Sequence, residues 1–288
     1  MIMTNDTMVT SNAKRFASEL LGTLALVFFG CGAAVFSSGS GLGTLAIPIA
    51  FGLVLYLLHH FLSPISGCHL NPAVTVAMAM KKRISWIECY WYIAAQLAGA
   101  IIGALLLFGL VKSTGIDKVV SLGQNGYSVD DKDMRVGWLG ALLLETVLTF
   151  VFVLVVLNAG SKKNGNGKFT SLIIGAALAL VHIIGVNLTG TSVNPARSLA
   201  PAIFVSGALE QVWVFFLAPF LGGILAAVAD IYLLHTEDSA EQRRIRNEIY
   251  LARHRLRIER FNAKVKAEEE LNKEQQEKTI DINDKEND

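Results

Sequence analysis

Gly67-Cys68-His69-Leu70-Asn71-Pro72-Ala73-Val74-Thr75 and Thr191-Ser192-Val193-Asn194-Pro195-Ala196-Arg197-Ser198 carry the same triplet, and Asn71 and Asn194 stand 123 residues apart. In each, an Asn able to cap precedes a Pro suited to the first helical turn, which is a helix-start signal. The apolar stretches that follow, Asn71–Met80 and Asn194–Phe204, are too short to cross a bilayer core, which takes about 20 residues of helix. They are expected to be half-helices that enter the membrane and stop. A lone Asn-Pro-Ala is ordinarily a cap or a turn. Two, at matching places in a repeat, decide the fold.

The chain around the triplets is built for a membrane. Of 288 residues, 52% are hydrophobic and only 17% charged, against about a quarter charged in a soluble domain. Mean hydropathy is +0.47. Six segments are long and apolar enough to span: Phe16–Phe36, Leu45–Leu62, Trp86–Val111, Val136–Leu157, Thr170–Asn187 and Gln211–Leu234. The expected organisation is a polar N-terminus (1–15), a membrane body (16–234) with repeats at about 16–111 and 136–234, and a charged tail (235–288). The fold class is all-α, with six transmembrane helices and two re-entrant half-helices. Met1–Lys14 has no charged start leading into a cleavable apolar core, so the first apolar run reads as a retained span.

Basic residues set the orientation. Lys14-Arg15, Lys81-Lys82-Arg83, Lys162-Lys163 with Lys168, and the Arg-rich run after Leu234 alternate correctly with six spans if both termini are cytosolic. The other loops agree: Ser37–Thr44 is uncharged, and Lys112–Arg135 balances four acids against four bases. The 123-residue offset also relates Gly52 to Gly175, His59 to His182 and Gly99 to Gly222, while Glu19 and Glu145 lie 126 apart. Three spans per copy insert the second copy upside down. Inverted repeats with broken helices meeting at the midplane are a channel and transporter architecture.

Irregular backbone survives at membrane depth only beside a cavity or inside protein. The half-helix N-termini must then face each other, each with roughly half a positive charge. A pore between them repels cations, hydronium included. The amides of Asn71 and Asn194 can donate to a passing oxygen. A water held by two donors turns its own hydrogens away, which breaks a proton-conducting chain of waters.

The two quoted loops resemble the signature loops of the major intrinsic protein family, the aquaporins and glycerol facilitators, over roughly residues 16–234. The resemblance implies a pore centred on Asn71, Pro72, Ala73, Asn194, Pro195 and Ala196. It implies a selectivity filter of Phe51, His182, Thr191 and Arg197, with His182 as in water-selective members. Glycerol facilitators typically place a small residue there. Ser198 and Ala202 resemble the water-channel pattern, whereas Phe215-Phe216 departs from its Phe-Trp. The resemblance also makes Glu19 and Glu145 structural acids that accept hydrogen bonds from the loop backbones; a proton relay is the rival role. A homotetramer in the plasma membrane follows from resemblance alone. Read singly, Phe51 is one of 15 phenylalanines and His182 reads equally as a satisfied helix histidine. Arg197 is harder to dismiss, because an intramembrane Arg is costly and by default functional.

The inverted repeat maps the filter onto Ile174, His59, Cys68 and Val74, which are expected at the inner mouth. His59 there would titrate near neutral pH, or simply cap the polar end of its helix. Cys68 would be open to mercurials. The expected permeant is water, with glycerol, hydrogen peroxide or ammonia as alternatives and a coupled transporter as a remoter one. No acid sits beside either triplet to bind a driving ion. An enzyme, a cofactor, a metal site, a disulfide and a nucleic-acid partner are not expected: the three cysteines show no CxxC pair and net charge is +1. In the tail, Arg243, Arg244, Arg246, Arg253, Arg255, Arg257 and Arg260 precede an acidic end. Ser239–Gln276 is expected to be helical and Thr279–Asp288 disordered. The Arg cluster reads as a topology signal or as a contact with anionic lipid.

Overall fold

Neither Pro nor Gly interrupts the chain from Asn5 to Leu21, and helix α1 (Asn5–Phe36) accordingly begins before the first apolar run, inside the segment expected to be a polar lead. The computed structural model of the chain describes residues 5–37, 42–115, 119, 121–128, 136–159, 167–234, 258–259, 261–263 and 265–266. After α1 come α2 (Ala46–Ser66), α3 (Pro72–Met80), α4 (Trp86–Ser113), α5 (Trp138–Ala159), α6 (Thr170–Thr189), α7 (Pro195–Ala202) and α8 (Val212–Ala229), the last closing in a π-helical turn, Asp230–Leu234. The described residues contain no strand.

Among the described residues, six segments are long and apolar enough to span: Asn12–Phe36, Gly43–Ser66, Trp86–Ser113, Trp138–Ala159, Gly167–Thr189 and Ala208–Leu233. Helices α3 and α7, of nine and eight residues, reach only about 13 Å at 1.5 Å per residue. The spans differ from expectation at their ends, for local reasons. Helix α2 runs through Pro64 to Ser66, where Gly67 caps it with φ 89° and donates to the Ser63 carbonyl. Helix α6 continues to Thr189 and stops at Gly190, φ 79°. Helix α4 starts on a capping box, Ser85 with Glu88. Helix α7 ends at Ala202, short of Phe204, with Pro201 in its last turn.

Small residues set the packing. A Cβ at Gly52 would lie 2.8 Å from the Gly175 carbonyl oxygen, and one at Gly175 would lie 2.6 Å from that of Gly52. These two are repeat partners, so the pseudo-two-fold axis passes between them, where α2 meets α6. Gly99 and Gly222 are also repeat partners. They press against the carbonyls of Leu20 and Thr146, which obey the 126 offset. Such contacts let membrane helices approach closely. Each half-helix crosses to the other repeat: α3 lies on α8 and α7 on α4. The far end of α3 is fixed by a buried ion pair between Lys81 and Asp230 at the end of α8. Helix α7 instead leads through Ala208–Gln211 into the start of α8. The half-helices therefore run to opposite ends of α8, and their N-termini meet between.

Asn5–Leu234 is one compact unit and His235–Asp288 belongs to another. Of the expected tail helix only 258–259, 261–263 and 265–266 are described, and they are helical. The rest of it, Thr279–Asp288, and much of Lys112–Arg135 lie outside the described residues.

Candidate pore and its polar lining

The loops leading into the half-helices are wound against backbone preference. Cys68, Leu70, Thr191 and Val193 have φ of 53°, 49°, 48° and 47°. Left-handed geometry costs a non-glycine roughly 1–2 kcal/mol, and it persists only where surroundings over-determine it. Buried carboxylates supply that. Glu19 accepts from the backbone N–H groups of His69 (3.0 Å) and Leu70 (2.8 Å), from Ser66 Oγ (2.6 Å) and from Gln96 Nε2 (2.7 Å). Glu145 accepts from the N–H groups of Ser192 (2.8 Å) and Val193 (3.0 Å) and from Thr189 Oγ1 (2.6 Å). Each N–H left unpaired there would cost about 1–3 kcal/mol.

The two Asn residues tie the half-helices together. Asn71 Oδ1 accepts from the Ala73 N–H (2.9 Å), and Asn194 Oδ1 accepts from those of Ala196 (3.0 Å) and Arg197 (3.3 Å). Asn71 Nδ2 donates to the Val193 carbonyl (2.7 Å), and Asn194 Nδ2 donates to that of Leu70 (2.8 Å). This exchange across the axis uses one amide hydrogen of each Asn. One hydrogen apiece is left for a permeating molecule.

A cavity of about 20 Å³ adjoins them, lined by Phe51, His69, Asn71, His182, Asn194 and Arg197 among others. That volume has room for about one water. Phe51 and His182 stack with centroids 4.2 Å apart and planes at 23°, leaving no water-sized gap between the rings. Arg197 lies beside them, its Cζ 5.1 Å from the Phe51 centroid. Its guanidinium donates to the carbonyls of Gly123 (2.7 Å) and Gly190 (3.2 Å). His182 Nδ1 sits 2.9 Å from the Leu178 carbonyl. A carbonyl only accepts, so Nδ1 carries the hydrogen, and in the neutral form of the ring Nε2 is then an acceptor. His182 Nε2, Thr191 Oγ1 and Arg197 Nε are buried without a protein partner. Such atoms call for water or solute, since burying a polar group unpaired is costly.

The other expected residues do not line that cavity. Thr191 is buried, its Oγ1 facing Gly185 on α6, and does not line this cavity. His59 Nδ1 is 2.9 Å from Ser171 Oγ, about 16 Å along α6 from His182 by helical rise. Cys68, Val74 and Ile174 are buried and outside the cavity lining. Sequence reading missed the Arg197 anchors, because a backbone carbonyl has no residue signature. It also missed Asn125, which accepts from Ser198 Oγ (2.8 Å) and donates to the Thr189 carbonyl (3.2 Å). Gln96 was legible only as a lone polar residue in a span; it bridges Glu19 and Thr75.

Six spans and two half-helices meeting N-terminus to N-terminus beside a small, mainly apolar cavity that His182, the two Asn residues and Arg197 also line define a membrane channel. Comparison with known proteins gives the family. The sequence model of the family described as Major intrinsic protein matches residues 7–230, and the chain belongs to that family. It is 39% identical to Aquaporin Z of Bradyrhizobium diazoefficiens over 220 residues, 75% of this chain and 91% of the relative. It is 41% identical to Glycerol uptake facilitator protein-like 6 of Lactiplantibacillus plantarum over 215 residues, 74% of this chain and 95% of the relative. The X-ray structure of the aquaglyceroporin from Plasmodium falciparum shares the fold, with TM-score 0.67 and 24% identity, covering 77% of this chain and 97% of that one. The protein is thus a multi-pass membrane channel for water or another small solute, a passive conduit and not an enzyme.

Proposed function

We propose that this channel conducts water and excludes glycerol, ions and protons, with Phe51, His182, Thr191 and Arg197 as its outer constriction. The observation that carries the reading is the packing of Phe51 and His182 against each other beside Arg197. Two stacked rings and a fixed guanidinium narrow the passage. The imidazole and the guanidinium also set polar groups where a carbon backbone would have to pass. Inside the constriction, a water gives one hydrogen to His182 Nε2 and receives from the guanidinium. At the Asn pair it receives from two amide hydrogens and turns its own outward. The half-helix dipoles reinforce that orientation and repel hydronium.

Glu19 and Glu145 hold the loops and do not relay protons, because their oxygens are taken up by loop and side-chain donors. His59, Cys68, Val74 and Ile174 form the inner mouth. The reading extends to both termini being cytosolic, on the distribution of Lys and Arg, and, on the family resemblance alone, to a homotetramer in the plasma membrane.

Stopped-flow light scattering of proteoliposomes tests it. Water efflux should exceed that of empty liposomes, and glycerol uptake should match theirs. The relative named for glycerol uptake, at 41% identity, keeps a second reading in view, in which glycerol crosses as well. Glycerol uptake above the lipid background would establish that one.

A further inference from the structure

The family match ends at residue 230, so the tail from His235 lies beyond it. Its described residues are helical, and they expose Ile258 (49%), Phe261 (66%) and Val265 (38%). The spacing i, i+3 and i+7 is that of one helix face. Between residues 253 and 266 the sequence holds Arg253, Arg255, Arg257, Arg260, Lys264 and Lys266 against one acid, Glu259. Ile258 lies only 24 residues beyond Leu234, where the last span ends.

We propose that the helical segment around Ile258, Phe261 and Val265 docks on the surface of an anionic lipid bilayer, its apolar stripe in the headgroup boundary and its bases on lipid phosphates. A basic helix with an apolar face is the chemistry that recognises such a surface. The covalent tether to the last span keeps the segment close to the headgroups, so binding is intramolecular. Pairing between the tails of two copies would bury the same stripe, but it would bring six bases from each copy together. The acidic run Glu268-Glu269-Glu270 bounds the segment and sets where the contact stops.

The test uses the full chain in nanodiscs of phosphatidylcholine alone or with phosphatidylglycerol added. An environment-sensitive fluorophore is placed by Asn262→Cys, an exposed position, with the native cysteines buried and the unsubstituted chain as labelling control. In anionic discs the emission should shift to the blue and rise about two-fold or more, reverting as salt screens the surface. Ile258→Ser with Phe261→Ser should abolish the shift while leaving water flux unchanged. Equal emission in both lipids overturns the proposal. So does a shift that appears in both lipids and resists salt, which is the signature of tail-to-tail packing.

Discussion

Around Asn71 and around Asn194 the chain takes the same path. Left-handed residues at 67, 68 and 70 match those at 190, 191 and 193, and a buried Glu takes up the two N–H groups preceding each Asn. The side chains nearby do not match. Phe51, Thr191 and Arg197 correspond to Ile174, Cys68 and Val74, and only His182 and His59 agree in type. Two opposed half-helices cannot stand without the shared features, since each satisfies backbone that would otherwise be bare at membrane depth. The unshared ones are not needed by the scaffold. On the proposed reading they choose the solute, and the charged and aromatic set gathers at one place, where Phe51 of α2, His182 of α6 and Arg197 of α7 meet.

The largest effect should come from removing that asymmetry. Arg197→Val gives the second loop the residue that the first already has. Glycerol permeability should rise about ten-fold or more, the scale at which a pocket change alters discrimination. Val74→Ala, at the matching inner position, should leave the glycerol-to-water ratio within about two-fold. Comparable changes from both would break the division of labour. His182→Gly opens the constriction without touching its charge, so glycerol should rise while cations stay excluded; paired glycerol-uptake and conductance measurements check this.

The carboxylates sharpen the comparison from the side of stability. Glu19→Gln and Glu145→Gln each turn an amide toward N–H donors, at about 1–3 kcal/mol per unpaired group. That lowers the unfolding temperature in detergent by about 5 °C. Glu19→Gln should be the worse of the two, because Glu19 also accepts from Gln96 whereas the matching residue in the second repeat is Pro219. The smallest effect concerns the thiols. With Cys31 and Cys89 replaced, mercurial block through Cys68 should be weaker than block through an added Thr191→Cys. Equal block would place both positions at comparable constrictions.

Much of the scaffold was legible in the sequence. Two Asn-Pro-Ala triplets, six apolar runs and the 123-residue offset need no contacts to be seen, because helix caps and span lengths are local properties. The span ends were less so. Ser63-Pro64 reads as a stop, yet α2 continues to Gly67, whose left-handed cap is the true terminator. The polar start of α1 hides a helix because continuing one into water costs little. Within the site, Phe51, His182 and Arg197 could be named from position, but not the Gly123 and Gly190 carbonyls that hold the guanidinium. Those depend on where a distant loop comes to rest, which no local pattern encodes.

The most direct test of the claim that the outer set selects water is the glycerol-to-water permeability ratio of the unsubstituted channel, measured beside Arg197→Val in matched proteoliposomes. The account predicts glycerol at the lipid background for the unsubstituted channel and well above it for the variant, with rapid water flow through both. Glycerol flow through the unsubstituted channel equal to that through Arg197→Val would contradict it.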